Sequence, residues 1–313
     1  MKRTLSVDLN GIVLPTPVMV ASGCAGTGRE LSGLADLHKV GGLVSRSITL
    51  HPRKGTPTPR IAETPSGIVW STGLQNPGVE AFLADELPRL VRGGAPVFAS
   101  IAGGTMEEFV RLTSLLNDAP GLAAIETHIS GPDEELDTEV LASRPDRAAE
   151  IVGAVARMAT VPVFAKLPPL LSDMVETARA CVRAGAHGIT VIDAVPALAV
   201  DGQRLRPGLG AVTGWLSGPA IRPLALRAVH GVSRALPDVP VLGVGGVRTG
   251  ADAVEMLLAG AWAVQVGTAT LVDPAAPVTV AQGVLSYLKA KGLASPADVR
   301  ARLRLPPAVP EGA

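Results

Sequence analysis

The chain has 313 residues, long for a two-layer domain and right for one eight-fold βα barrel. Its 28 basic and 28 acidic residues balance, which leaves no basic field to neutralise the phosphates of a nucleic acid. The apolar stretches are strand-length and broken by Gly, Pro or charge, short of the about 20 residues a membrane span needs.

Met1 to Asp8 turns polar before an apolar signal region can develop, so a cytoplasmic protein without a secretory peptide is expected. Leu5 to Leu9 and Gly11 to Leu14 read as a hairpin able to close the bottom of a barrel. From there, short β-branched runs alternate with Ala- and Leu-rich helical patterns, as repeated βα units around a doubly buried parallel sheet do. Eight such runs cover residues 18–21, 42–48, 97–101, 123–129, 163–167, 188–193, 241–244 and 263–266, each followed by a predicted helix. Their number and order predict a (β/α)8 TIM barrel, one domain over residues 1–313, rather than an open sheet. Three connections, at about 50–78, 131–144 and 195–217, exceed the usual loop lengths and are expected to cover the C-terminal face. Residues 306–313 read as a frayed tail.

Two cysteines, Cys24 and Cys181, cannot make a disulfide framework and lack metal-ligand spacing; Cys181 reads as a small buried hydrophobe. No metal site is expected. Gly243-Val244-Gly245-Gly246-Val247 ends the seventh run and Ala263-Val264-Gln265-Val266-Gly267-Thr268 the eighth. Barrels bind phosphate after those two strands, and a missing Cβ lets backbone N–H groups approach an anion closely. A phosphorylated ligand is expected there. Lys166, at the mouth end of the fifth run, is a cation among apolar neighbours. His128, at the mouth end of the fourth, is of the residue type suited to proton transfer near neutrality. His38, His51, His187 and His230 fall on predicted loops or helix ends and carry little signal.

Ala21-Ser22-Gly23-Cys24, Pro57-Thr58-Pro59-Arg60, Gly73-Leu74-Gln75-Asn76-Pro77-Gly78, Leu216-Ser217-Gly218-Pro219-Ala220-Ile221 and the two glycine motifs occur in order over nearly the whole chain. As a set they resemble class 1 dihydroorotate dehydrogenases, closest to the 1B type. The resemblance implies an FMN-containing barrel that oxidises a carbon–carbon single bond by hydride transfer to flavin N5. For the 1B type it implies a partner subunit with FAD and an iron–sulfur cluster that passes electrons to NAD, and class 1 relatives suggest a homodimer. It implies that Ser217, Gly218, Gly245, Gly246, Gly267 and Thr268 hold the FMN phosphate. Lys166 would reach the flavin N1/O2 edge, where a cation stabilises the anionic reduced ring. Ala21, Ser22, Gly23 and Ile192 would lie along that ring. Arg46 and Ser47 replace the family's lysine–alanine pair after strand 2, and Ser100 an asparagine after strand 3; Arg46 keeps the charge as a fork rather than a point.

The substrate side departs further. The family cradles orotate with asparagines, and four of those positions read Trp70, His128, Asp133 and Asp193, with Gly73, Leu74 and Ala194 beside them. A buried hydrogen bond lost to a charged group is worth about 1.5–3 kcal/mol, and a tenfold change in affinity takes about 1.4 kcal/mol. Several such losses would nearly abolish micromolar binding of orotate, and Asp133 and Asp193 also oppose an anion. Within Ile129-Ser130-Gly131-Pro132, Gly131 stands where the family carries its catalytic thiol or hydroxyl. His128 is the best replacement base, oriented by Asp133 or Asp193. The first expectation is therefore an FMN-dependent oxidoreductase acting on a CH–CH or C=C bond of a small molecule other than orotate, in specialised metabolism. The alternatives are a genuine dihydroorotate dehydrogenase of pyrimidine biosynthesis with relocated catalytic residues, and a non-redox or catalytically silent barrel subunit.

Overall fold

A computed structural model describes residues 3–31, 33–130, 144–169, 173–300 and 302–304. The chain opens on the antiparallel hairpin β1 (Val7–Asp8) and β2 (Val13–Leu14). Strands β3 (Val18–Val20) and β4 (Gly42–Val44) precede a second hairpin, β5 (Ile61–Thr64) and β6 (Gly67–Trp70). Then come β7 (Val97–Ile101), β8 (Leu122–His128), β9 (Val163–Leu167) and β10 (Gly188–Val191). The next long connection holds β11 (Val195–Ala197), β12 (Val200–Asp201), β13 (Arg206–Pro207) and β14 (Gly214–Ser217). Strands β15 (Val241–Val244) and β16 (Ala263–Val266) complete the set.

Strands β3, β4, β7, β8, β9, β10, β15 and β16 pair in parallel and close on themselves, β16 returning to β3 with Gln265 beside Met19. This is a (β/α)8 TIM barrel, and its strands are the eight expected runs, several of them shorter. One expected helix is missing. After β3 the chain makes only the 3-10 turn Leu37–Lys39, because Gly26, Gly28 and Gly33 all sit at positive φ in the segment between, and such glycines do not continue a helix.

Side chains alternate along each strand, and the outward set packs on the helices. Val18, Leu43, Ile101, Ile125 and Val163 are buried in one core with Phe109, Leu112, Val152 and Val229 of the helices. Each such side chain contributes about 1.5–3 kcal/mol on burial. The inward set changes character with height. Low in the barrel stand Met19, Phe98, Ala124, Phe164 and Leu242, packed against Leu9, Ile12 and Leu14 of the first hairpin. The Phe98 and Phe164 rings lie 5.4 Å apart, and a Cβ on Gly188 would come within 2.3 Å of the Phe164 ring. His187, which gave no signal in the sequence, pins the hairpin by donating from Nε2 to the Leu9 carbonyl at 2.7 Å. Two residues beyond Phe98, Ala124, Phe164 and the similarly placed Ala263, the inward positions become Ser100, Glu126, Lys166 and Gln265.

Two of the long connections meet above the mouth in a sheet of order β11-β14-β6-β5, with Leu216 of β14 opposite both Val195 and Val69. The third, at 131–144, lies almost wholly outside the described residues, as does the segment 306–313. No helix among the described residues is long and apolar enough to cross a membrane.

Candidate active site

The mouth opens into a cavity of about 1390 Å³ counting its solvent-facing part. Ala21, Ser22 and Gly23 line it from the end of β3, and Arg46 and Ser47 from the end of β4. Trp70 and Leu74 face it from the lid; His128, Lys166, Ile192, Asp193 and Ala194 come from the ends of β8, β9 and β10. Ser217, Gly218, Gly245, Gly246, Gly267 and Thr268 line the far end. Two expected residues do not line it. Ser100 is fully buried behind Ser47, its hydroxyl 3.0 Å from that of Ser47, so it acts through its neighbour. Gly73 serves its own turn, since its φ is +58° and a Cβ would stand 2.7 Å from the Thr56 amide nitrogen. Gly131 and Asp133 lie outside the described residues.

The far end is made of backbone. Gly245 and Gly246 hold φ of +123° and +72°, and a Cβ on Gly246 would stand 2.6 Å from that of Arg222. The chain leaving this turn is fixed by a capping box. Thr249 accepts from the Asp252 amide, while Asp252 Oδ2 accepts from the amides of Arg248 and Thr249, each at 2.9 Å. Ser217 Oγ accepts from Thr268 Oγ1 at 2.8 Å and from the Trp70 indole N–H at 3.1 Å, which ties the lid to the cradle. Gly218, Gly245, Gly246 and Gly267 bring bare backbone to the cavity wall, which fits the phosphate of FMN.

The near end is made of side chains. Lys166, 7% exposed, lies 3.5 Å from Asp193 Oδ1 and 3.8 Å from Glu126 Oε1. Burial alone would lower its pKa, but Asp193 and then Glu126 outweigh it and keep the ammonium charged. Burial would likewise raise Asp193; Lys166, then His128, hold its carboxyl well below the usual carboxylate range. Asp193 Oδ2 lies 2.9 Å from His128 Nε2, and the other ring nitrogen, Nδ1, lies 2.9 Å from Ser47 Oγ. Of the two acids expected to orient His128, Asp193 is in contact with it, and Asp133 lies outside the described residues.

Three residues here carry no site role in the sequence analysis. Glu126 accepts from Thr190 Oγ1 and Gln265 Nε2, both at 3.0 Å. Its signal was available: it stands two residues before His128, and a strand returns to the same face every second residue. Arg248 lines the cradle end. Cys24 lines the cavity too, its thiol pushed up to about 11 by burial against the opposing pull of Lys166.

A buried cation beside a hydrogen-bonded histidine–aspartate pair, facing a glycine-rich turn across one cavity at the mouth of a (β/α)8 barrel, fits a flavin-binding oxidoreductase. The dihydroorotate dehydrogenase family model matches residues 4–288. The catalytic subunit of dihydroorotate dehydrogenase B (NAD(+)) from Geotalea daltonii is 43% identical over 304 residues, 97% of this chain and 99% of that one. Its counterpart from Desulforudis audaxviator is 45% identical over 293 residues, covering 94% and 95%. A crystal structure of DHODH from Eimeria tenella in complex with ferulenol shares the fold, with a TM-score of 0.77 at 20% identity over 94% of this chain and 87% of that one. The chain belongs to the dihydroorotate dehydrogenase family. It is an FMN-dependent oxidoreductase acting on CH–CH donors, which sets aside the non-redox alternative.

Proposed function

We propose that this chain is the catalytic subunit of a dihydroorotate dehydrogenase of pyrimidine biosynthesis, acting in the cytoplasm, with its proton acceptor moved onto strand β8. The full-length relatives favour this over the first sequence expectation of another substrate. The observation that carries the mechanism is the His128–Asp193 pair, 2.9 Å apart beside the buried Lys166.

Bound FMN supplies the hydride acceptor for one carbon of the CH–CH bond. Gly245, Gly246, Gly218 and Gly267 hold its phosphate through their backbone, with Ser217 and Thr268 beside them, while Ala21, Ser22, Gly23, Arg46 and Ile192 line the space for its ring. Lys166 supplies fixed positive charge where negative charge grows. His128 is the base on which a proton comes to rest, at Nδ1, as the second carbon gives one up, and Asp193 steadies the imidazolium that results. Trp70 and the β11-β14-β6-β5 lid exclude water. A partner subunit with FAD and an iron–sulfur cluster takes the electrons onward to NAD, and the catalytic subunit pairs as a homodimer.

A second reading, oxidation of a substrate other than dihydroorotate, rests on Trp70 and Asp193 facing the cavity in place of amides. An anaerobic visible spectrum of the purified protein before and after dihydroorotate separates the two. Bleaching of a bound-flavin band is the expected result. A flavin band that stays unbleached moves the substrate to the second reading, and a protein that binds no FMN overturns both.

A further inference from the structure

We infer that Ser47 is the group that meets the substrate proton, passing its own proton to His128; this rests on the reading of His128 as the base. Asp193 is an ionised carboxylate and can only accept, so the 2.9 Å contact with His128 requires the hydrogen on Nε2. In the neutral ring Nδ1 is then bare, and the hydroxyl 2.9 Å away must donate to it. Both ring nitrogens are therefore engaged by protein. Ser47, with its proton committed to Nδ1, has two lone pairs: one receives the Ser100 hydroxyl at 3.0 Å, and the other is left for a group in the cavity that Ser47 lines. A proton cannot reach Nδ1 without displacing Ser47 or passing through it.

The step balances without further reagents. The substrate C–H bond breaks and its electron pair enters the new C=C bond as the neighbouring carbon loses hydride to the flavin. The proton joins Ser47 Oγ, the Ser47 proton moves to His128 Nδ1, and the imidazolium stays paired with Asp193. Ser47, His128 and Asp193 thus form a serine–histidine–aspartate line, used here to move a proton rather than to attack a carbonyl.

The test uses the flavin-loaded protein, its Ser47→Ala and His128→Ala variants, nitrogen-15 spectra of labelled histidine, and anaerobic bleaching by dihydroorotate. The chain has 5 histidines, and His128→Ala assigns the signal. The wild type is expected to show the neutral ring with hydrogen on Nε2 and an Nδ1 signal displaced by a hydrogen bond. Ser47→Ala should abolish that displacement, keep full flavin content and slow bleaching by about a hundredfold. Hydrogen on Nδ1 in the wild type, or Ser47→Ala bleaching at the wild-type rate while His128→Ala is slow, would overturn the role of Ser47 alone. Wild-type rates in both variants would overturn the His128 reading with it. If dihydroorotate bleaches no form, the proposed substrate falls and the nitrogen spectra decide the role of Ser47.

Discussion

The two ends of the cavity are built from different material. The cradle end is backbone: Gly218, Gly245 and Gly246 at positive φ, with neighbours closed in where a Cβ would stand. The near end is a line of side chains, Ser100–Ser47–His128–Asp193–Lys166–Glu126, joined across strands β4, β7, β8, β9 and β10. Backbone cannot be rewritten by one substitution without strain, whereas a side-chain line changes its chemistry one residue at a time. That difference makes the side-chain end the part of the cavity where single substitutions can change chemistry while the backbone end stays as it is.

The comparison breaks most sharply at Lys166. Replacing it with Met leaves Asp193 and Glu126 buried without their cation, and breaking a buried pair costs about 3–5 kcal/mol. Denaturant unfolding should show that loss, and an unchanged midpoint would mean the near end is wet rather than ionic. His128→Ala comes next. Flavin should stay bound while anaerobic reduction by the true substrate slows at least about a hundredfold, and an unslowed half-reaction removes His128 from the chemistry. The cradle end is tested by Gly246→Ala. Forcing a side chain into the positive-φ region costs about 1–3 kcal/mol, and ultrafiltration with fluorescence should show FMN bound roughly tenfold or more weakly, with the barrel still folded. The smallest effect concerns Cys24. Its thiol is raised to about 11, so it stays protonated well above the about 8.5 of a free cysteine, and the reactive thiolate gains population only as pH rises toward 11. Iodoacetamide should therefore leave it unlabelled between pH 7 and 9 by mass spectrometry; labelling that a Cys24→Ser variant abolishes would show an exposed, unperturbed thiol. Cys181, pushed up to about 12, should stay unlabelled as well.

The same contrast governs what could be read from the sequence. The cradle was legible because its glycines sit in short contiguous motifs at the ends of β15 and β16. Lys166 and His128 were legible as polar residues at strand ends among apolar runs. Their linkage was not. Ser47 and His128 are 81 residues apart, and they meet because β4 and β8 flank β7 in the barrel. The sequence reading placed Ser47 and Ser100 along the flavin, whereas Ser100 has no face on the cavity and supports Ser47 from behind. The segment after β3 has the apolar content of a helix, but Gly26, Gly28 and Gly33 at positive φ interrupt it.

The plug under the barrel has a consequence for how this chain is made. Leu9 meets His187 across 178 residues, and β3 gains its second neighbour only once β16 has been made. Until then a nascent chain carries Leu9, Ile12 and Leu14 uncovered and an unpaired edge on β3, both features that invite aggregation. Loss of even the last barrel strand leaves that edge open for good. The ribosome must therefore deliver every strand of the barrel before the first of them finds its place.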